Sequence, residues 1–525
     1  MSFSTVWLSK TFYLLCLAFV LCFVHYYFFH GGYLGYDELE YARLGVKIVE
    51  GDFVHDSLYA YRYFGFLPLS VLYFMVGIGD FANWLMPTLT LLLIIYIVLK
   101  LLPNTPIYVK LLSVLFLVFN PLHLLYLEKP MPDITVELGF LMCFFSYYKE
   151  RYDPQKIEVN FRVFLFLFGF IIVFMSKETF LVFYPFFLFL FIVDIFQKRR
   201  KEFWLKVFTS ISIFILIYLG LNYYYLGNPL ARVEAIFLNR YISECTYELQ
   251  PIAVLLERIG YRLWFDMTRV GFLWPLGFVF VFIDRWKHLE RSLKFVLGSY
   301  VSLLLLSNFM TISYSSYVPL CNDPRHFLFI LPIGALIWAM GWKLGLQFSK
   351  KEILGCLIIW SLQLLLSIWF SYEHTWALFL PLALGLMLIQ EKKTINIGLS
   401  IVVLGMLAVY IQNVQYNQST NHQGQKELIK KVLESGPQNK YILTDGANTN
   451  IGQFYAGYKD NNTFVVFKDY DPKIHKNREL YIIMNGMTAY LSNTDWDKVP
   501  EFVKTAQENL PVYYKNKAGV VYRIK

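Results

Sequence analysis

The sequence predicts a polytopic α-helical membrane protein with a small α/β domain at its C-terminal end, and three observations predict it. Hydrophobic residues make up 57% of the chain and charged residues 16%, with a mean hydropathy of +0.46, a balance that excludes an ordinary soluble globular protein. Apolar runs long enough to cross a bilayer recur between Thr11 and Tyr410, about thirteen in all. Beyond them the chain turns polar and reads as short strands with an amphipathic helix. The net charge of +9 does not mark a nucleic-acid binder, because Lys and Arg cluster in short stretches between apolar runs, where the positive-inside rule puts them. The lipid bilayer is an expected partner; nucleic acid is not.

Thr11 to Phe29 is the first span. It is longer than the apolar part of a signal peptide and no small-x-small cleavage pattern follows it, so it is expected to be retained. Next, the adjacent acids Asp37 and Glu38 open an amphipathic segment expected to lie along the membrane surface. Tyr41, Leu44, Val46 and Ile48 would then face lipid, and Glu40, Arg43 and Lys47 water. The short apolar piece that ends near Gly77–Asp80 is expected in the interface, which makes Phe81 to Leu101 the second crossing. Further spans are expected near 108–127, 133–148, 161–176, 180–196, 204–225, 268–284, 293–311, 326–342, 353–370, 374–390 and 395–412.

Orientation follows from the charges between spans. Lys149/Arg151/Lys156/Arg162, Lys198/Arg199/Arg200/Lys201, Arg285/Lys287/Arg291/Lys294, Lys343/Lys350/Lys351 and Lys392/Lys393 fall on one face, the cytoplasmic one. The opposite face receives Asp37, Glu38, Arg62, Lys129, Asp133, Lys177, Glu178, the loop from about 226 to 267, and Arg325. With an odd number of spans, residues 417–525 stand outside too, after a membrane domain of residues 1–416. Their pattern predicts a helix over Gln425–Leu433, strands at 441–443, 463–467 and 480–484, and a terminal hairpin around Asn516–Gly519. No Walker sequence, GxGxxG or internal repeat is present.

Cys16, Cys22, Cys143 and Cys356 fall inside spans. Cys245 and Cys321 lie in outer loops, where they either form a disulfide or remain two unpaired thiols. No CxxC, HExxH or other metal-ligand spacing occurs, so no metal is assigned.

The outer charges are the candidates for chemistry. Asp37 and Glu38 can serve as a general base or as solvated, helix-capping groups. Asp133 heads a span, as a cap or as a second site carboxylate, and Lys177-Glu178 is a charged pair between two apolar spans, where charge is costly. Asp323-Pro324-Arg325-His326 heads another span. Arg325 is either an interfacial anchor or a site cation, and His326 reads as structural.

These residues resemble the membrane-embedded C-type glycosyltransferases that use polyprenyl-phosphate sugars, in the branch with lipid A aminoarabinose transferases and protein O-mannosyltransferases. Asp37-Glu38 with Tyr41-Ala42 is similar to that family's Asp-Glu-x-x-Tyr-Ala opening. Asp133 falls where the family has a second-loop Asp, Ser176-Lys177 resembles its Thr-Lys, and Pro324-Arg325-His326-Phe327-Leu328 with Pro332 resembles its Arg-Tyr-Leu-x-x-Pro helix. Glu40 stands where aminoarabinose transferases commonly have an Arg, and Arg62 is expected to supply that charge. The resemblance implies the C-type fold and an inverting transfer from a polyprenyl-phosphate-linked sugar, such as an undecaprenyl phosphate sugar, to a hydroxyl-bearing acceptor. It implies an enzyme of the bacterial inner membrane, with its site and C-terminal domain extracytoplasmic.

In that chemistry Asp37 would be the base, with Glu38 and Asp133 beside it. Arg62, Lys129, Lys177 and Arg325 would meet the donor phosphate, and Tyr41 and Glu178 would shape the acceptor side or the frame of the site. No cofactor is required, although a divalent cation, with Asp133 as its ligand, stays open. So do two other classes: a ligase or polymerase of lipid-linked glycans, and a lipid or polysaccharide transporter. Against the transporter stand the absence of paired halves and the position of the charges at span ends.

Overall fold

The computed structural model describes residues 10–524 apart from 156, 239–246, 312–316, 370–375, 392, 418–421, 436–438, 460–461, 472, 474–477 and 486–498. Among the described residues seven helices are long and apolar enough to cross a membrane: Lys10–Phe29, Asp80–Leu101, Lys201–Leu226, Arg291–Phe309, Pro324–Gly345, Lys350–Trp369 and Ile395–Gln415. Shorter apolar helices accompany them, among them Ile107–Val118, Val159–Phe174 and Phe183–Phe196, together with the more polar Pro132–Tyr152.

Two of the expected spans are broken. The run near 108–127 divides into Ile107–Val118 and Pro121–Tyr126, because Pro121 cannot continue a helix but suits the first turn of a new one. Asn120 caps that turn by accepting the Leu122 N–H at 3.0 Å. The run near 268–284 divides into Leu263–Arg269 and Leu276–Asp284, around Gly271 at φ +90°, a backbone state that suits glycine. The two breaks meet: Asn120 Nδ2 donates to the Val270 carbonyl at 2.9 Å, satisfying an acceptor that no helix reaches.

Helix packing depends on small residues where backbones approach. A Cβ on Gly139 would come within 2.7 Å of the Gly169 carbonyl oxygen, and one on Gly169 within 2.5 Å of that of Gly139, so Pro132–Tyr152 and Val159–Phe174 lie backbone to backbone.

The helix Asp37–Glu50 ends at Gly51, whose N–H donates to Lys47 O at 3.0 Å. Its apolar stripe does not face lipid as expected. Tyr41 and Leu44 are buried in the main membrane core, and Leu39, Ala42 and Val46 in a second core shared with Leu69, Tyr73 and the C-terminal domain. Periodicity of 3.6 residues marks a buried face, and here protein on two sides covers it.

After Ile395–Asn417 comes the helix His422–Glu434, then a five-stranded sheet. Its strands are β1 Lys440–Thr444, β2 Asn462–Val466, β3 Glu479–Asn485, β4 Val512–Lys515 and β5 Gly519–Ile524, in the order β2-β1-β3-β5-β4. β1 pairs parallel with β2 and β3, while β5 runs antiparallel to β3 and to β4, its hairpin partner. The domain docks on the loop before Asp37. Gly35, at φ +85°, lies against Ala447 so closely that a Cβ would be 2.5 Å from its carbonyl oxygen. Asn450 Nδ2 donates to Gly35 O at 2.7 Å, and the Tyr458 hydroxyl to Leu39 O at 3.0 Å.

Candidate active site

Five segments bring their polar ends together: the first turn of Asp37–Glu50, the turn Leu58–Tyr61 with Arg62 after it, the head of Pro132–Tyr152, the pair Lys177-Glu178, and the 3₁₀ turn Pro324–Ile330. Asp37 and Arg325 face one another, with Arg325 Nη2 donating to Asp37 Oδ2 at 3.4 Å. Asp37 keeps 30% of its side chain exposed, and Tyr59 donates its hydroxyl hydrogen to Oδ1 at 2.8 Å. Asp323 accepts the Arg325 N–H at 3.1 Å and pairs with Nε at 2.9 Å, so one residue caps the turn and aims the guanidinium.

Beside this pair lies a buried triad. Lys177 Nζ donates to Asp133 Oδ1 at 2.7 Å and to His326 Nδ1 at 2.9 Å. The same ring nitrogen lies 3.3 Å from Asp133 Oδ1, so the imidazole touches both members of the pair. Asp133 Oδ2 is buried and has no partner among the described residues. Arg325 is near enough for its charge to act on both Asp133 and Lys177. His326, read from the sequence as structural, thus belongs to the cluster.

Arg62 stands on the other flank. Nη1 donates to the Tyr41 hydroxyl at 3.0 Å, Nη2 donates to Glu178 Oε2 at 2.7 Å, and the guanidinium lies 5.3 Å from the centre of the Tyr59 ring. Glu178 also accepts from Arg232 Nη2 at 3.1 Å. Burial opposes its charge, but Arg62 and Arg232 prevail and hold its pKa down at about 2.

Glu38 and Lys129 occupy a different position from Asp37. Glu38 turns back to accept the N–H groups of Leu34 at 2.6 Å and Gly35 at 2.7 Å, fixing the entering loop, and burial raises its pKa. Lys129 is buried and donates to Leu125 O at 2.8 Å; burial lowers its pKa, while Glu128 and Glu38 oppose that.

Asp37, Arg62, Asp133, Lys177, Glu178 and Arg325 therefore fall in one neighbourhood, with Glu38 and Lys129 set apart from it. Tyr59, Arg232 and His326 join them without having been singled out for chemistry. Arg232 comes from the short helix Ala231–Leu238 and also donates to Phe174 O, and no motif marks it. Cys321 is disulfide-bonded. Cys245, its expected partner, lies outside the described residues.

The arrangement offers a half-exposed carboxylate opposite a guanidinium, backed by further cations whose charges are balanced by buried acids. Such a site can accept a proton on one side and stabilise a departing anion on the other.

No family model matches the sequence, nor does any curated protein. Solved structures share the fold, two of which are forms of one protein. The crystal structure of ArnT from Cupriavidus metallidurans bound to undecaprenyl phosphate superimposes with a TM-score of 0.61 at 14% identity, covering 97% of each chain. The same protein in its apo state gives a TM-score of 0.59 at 14% identity, over 99% of this chain and 98% of that one. The chain thus has the C-type glycosyltransferase fold, with membrane helices and a small C-terminal sheet, and is an integral membrane protein.

Proposed function

We propose that this protein is an inverting glycosyltransferase that moves a sugar from a polyprenyl-phosphate donor to a hydroxyl acceptor at the extracytoplasmic face of a bacterial inner membrane. The observation that carries the reading is the confrontation of Asp37 with Arg325, 288 positions apart in sequence, at one end of the helix bundle. The presence of undecaprenyl phosphate in the ArnT structure supports a lipid phosphate as the donor's carrier.

In this mechanism Asp37 takes the proton from the acceptor hydroxyl while its oxygen attacks the anomeric carbon from the face opposite the phosphate. The bond between that carbon and the phosphate oxygen breaks, and its electron pair stays on the lipid phosphate. Arg325, the most exposed cation of the cluster, moves from Asp37 to the phosphate as charge develops there; its planar fork suits two phosphate oxygens. Lys177 and Arg62 are held by Asp133 and by Glu178 and contribute their field from a more buried position. Lys129 does the same from behind Glu38. Tyr59 keeps the Asp37 carboxylate oriented, and Tyr41 keeps Arg62 in line.

The test is transfer itself. Membranes carrying the protein are supplied with radiolabelled undecaprenyl-phosphate sugars, and lipid, glycan and protein fractions are counted. Label should appear in one hydroxyl-bearing acceptor with inverted anomeric configuration. A protein that moves intact lipid-linked sugar across the bilayer without breaking the phosphate bond would instead be a transporter. Tags at the N-terminus and at Lys525 should report opposite sides of the membrane, the C-terminal one outside.

A further inference from the structure

From the end of the bundle opposite Asp37, the end that the positive-inside rule makes cytoplasmic, a groove of about 590 Å³ runs into the membrane region between three helices. Its floor is Pro132–Tyr152, through Leu138 and Met142. Its walls are Asp80–Leu101, through Leu93, and Val159–Phe174, through Phe168. Leu93 and Phe168 are exposed, so the groove opens sideways to the bilayer. Apart from the Tyr96 hydroxyl its lining is apolar until its foot, where Lys100 and Lys149 stand.

The length of the groove is informative. Leu138 and Lys149 lie 11 positions apart in one helix, about 16 Å at 1.5 Å per residue. That is about half of the hydrocarbon core of a bilayer, the depth of one leaflet. A chain laid in the groove therefore starts at the lysines and ends near the midplane.

The foot of the groove gathers like charges. Lys149 Nζ donates to Asp153 Oδ2 at 2.8 Å and lies 5.6 Å from the centre of the Phe145 ring. Lys100 lies 5.2 Å from the centre of the Tyr96 ring, and both it and Lys10 are near enough to Lys110 for their charges to repel that ammonium. Lys110 Nζ donates only to a backbone carbonyl, Pro103 O, at 3.2 Å. Among the described residues none of Lys10, Lys100 and Lys110 pairs with a carboxylate. An anion seated among them turns mutual repulsion into attraction.

We propose that this groove binds a phospholipid with an anionic headgroup, its phosphate among Lys100, Lys110 and Lys149 and one acyl chain laid along Met142 and Phe168. Basic pockets between membrane helices on the cytoplasmic side suit headgroups of this kind. A zwitterionic lipid would bring one more cation into a cluster that already repels itself. The polyprenyl phosphate of the proposed reaction has its phosphate at the other end of the bundle, by Arg325, and an uncharged tail gains nothing from lysines here. The bound lipid braces the catalytic end from below: the floor helix carries Asp133 in its first turn, and the wall Val159–Phe174 leads directly to Lys177.

The experiment uses purified full-length protein, delipidated in detergent and offered phosphatidylglycerol or phosphatidylcholine with the same acyl chains. Native mass spectrometry counts the bound lipid, and thermal unfolding is followed in parallel; neither readout depends on sugar transfer. Wild type should retain one phosphatidylglycerol per chain, melt higher with it, and hold phosphatidylcholine roughly 10-fold more weakly. Lys100→Ala should weaken phosphatidylglycerol about 5-fold, the usual worth of one lysine near the surface, and Lys100→Ala/Lys110→Ala about 25-fold. Lys100→Arg keeps the charge and should keep the lipid. Leu93→Trp fills the groove with every lysine in place, and it should lose the lipid too. Lys351→Ala removes an exposed lysine from the same face outside the groove and should bind as wild type does.

Equal retention of the two lipids by wild type, or undiminished phosphatidylglycerol binding by Lys100→Ala/Lys110→Ala, overturns the proposal. So does a loss in Lys351→Ala that matches the loss in Lys100→Ala, which would mark a diffuse attraction of the whole face. Displacement of the bound phosphatidylglycerol by equimolar undecaprenyl phosphate overturns it as well, and would make the groove a seat for the lipid of the reaction itself.

Discussion

Lys177 and Asp133 are joined by a 2.7 Å hydrogen bond at the buried heart of the charged cluster, and the same ammonium reaches His326. Each charge makes the other tolerable. Removing only the ammonium, in Lys177→Met, strands a buried carboxylate and should destabilise the fold by about 3–5 kcal/mol. Thermal unfolding in detergent should also show Asp133→Asn/Lys177→Met to be more stable than Lys177→Met alone, a coupling that independent sites would lack.

Asp37→Asn should retain the bond from Tyr59 and the shape of the helix start, because the amide oxygen still accepts. It removes proton acceptance, so turnover should fall by about 10²-fold or more with donor binding largely preserved. Single-turnover transfer and binding of undecaprenyl phosphate, measured on the same preparation, check both halves. Asp133→Asn losing transfer while Asp37→Asn keeps it would reverse the two carboxylates' roles.

Arg325→Lys keeps the charge but loses the planar fork, and it also loses the aim that Asp323 gives to Nε. Turnover should drop in Arg325→Lys and drop further in Arg325→Ala, while both proteins keep the wild-type melting temperature within a few degrees. Unchanged turnover in Arg325→Ala would return this residue to the role of an interfacial anchor.

Glu178 gives the fold a defined acid sensitivity. Its pKa is depressed from 4.5 to about 2 by Arg62 and Arg232, against the effect of burial. The ionised form therefore contributes its full stability above about pH 4.5, and that contribution declines as pH falls and is gone below about pH 2. Glu178→Gln should melt lower than wild type at neutral pH and show a flatter dependence of melting temperature on pH across this window.

Much of this architecture can be read from the chain because a bilayer imposes length, hydropathy and charge position on every crossing. Asp37, Asp133, Lys177 and Arg325 are visible for the same reason, as charges at the ends of apolar runs. What sequence pattern does not carry is where a side chain spends its hydrogen bonds. Glu38 is adjacent to Asp37 yet turns back to the Leu34 and Gly35 amides, a direction that only the folded loop determines. Tyr59 and Arg232 act through chain segments without periodicity. The stripe of Asp37–Glu50 reads equally well as lipid-facing or protein-facing, since both surroundings demand the same spacing, and the C-terminal domain that covers it arrives some 400 positions later.

That late arrival bears on how the protein is made. Asp37 leaves the ribosome some 400 residues before Ala447, Asn450 and Tyr458, which mould the loop leading to it. A nascent chain halted after its last membrane helix would hold every cation of the proposed site and still lack the surface against which Gly35 and Leu39 are set. The loop before Asp37 is seated only after Tyr458 has been made, so copies that stop short of it lack that seat.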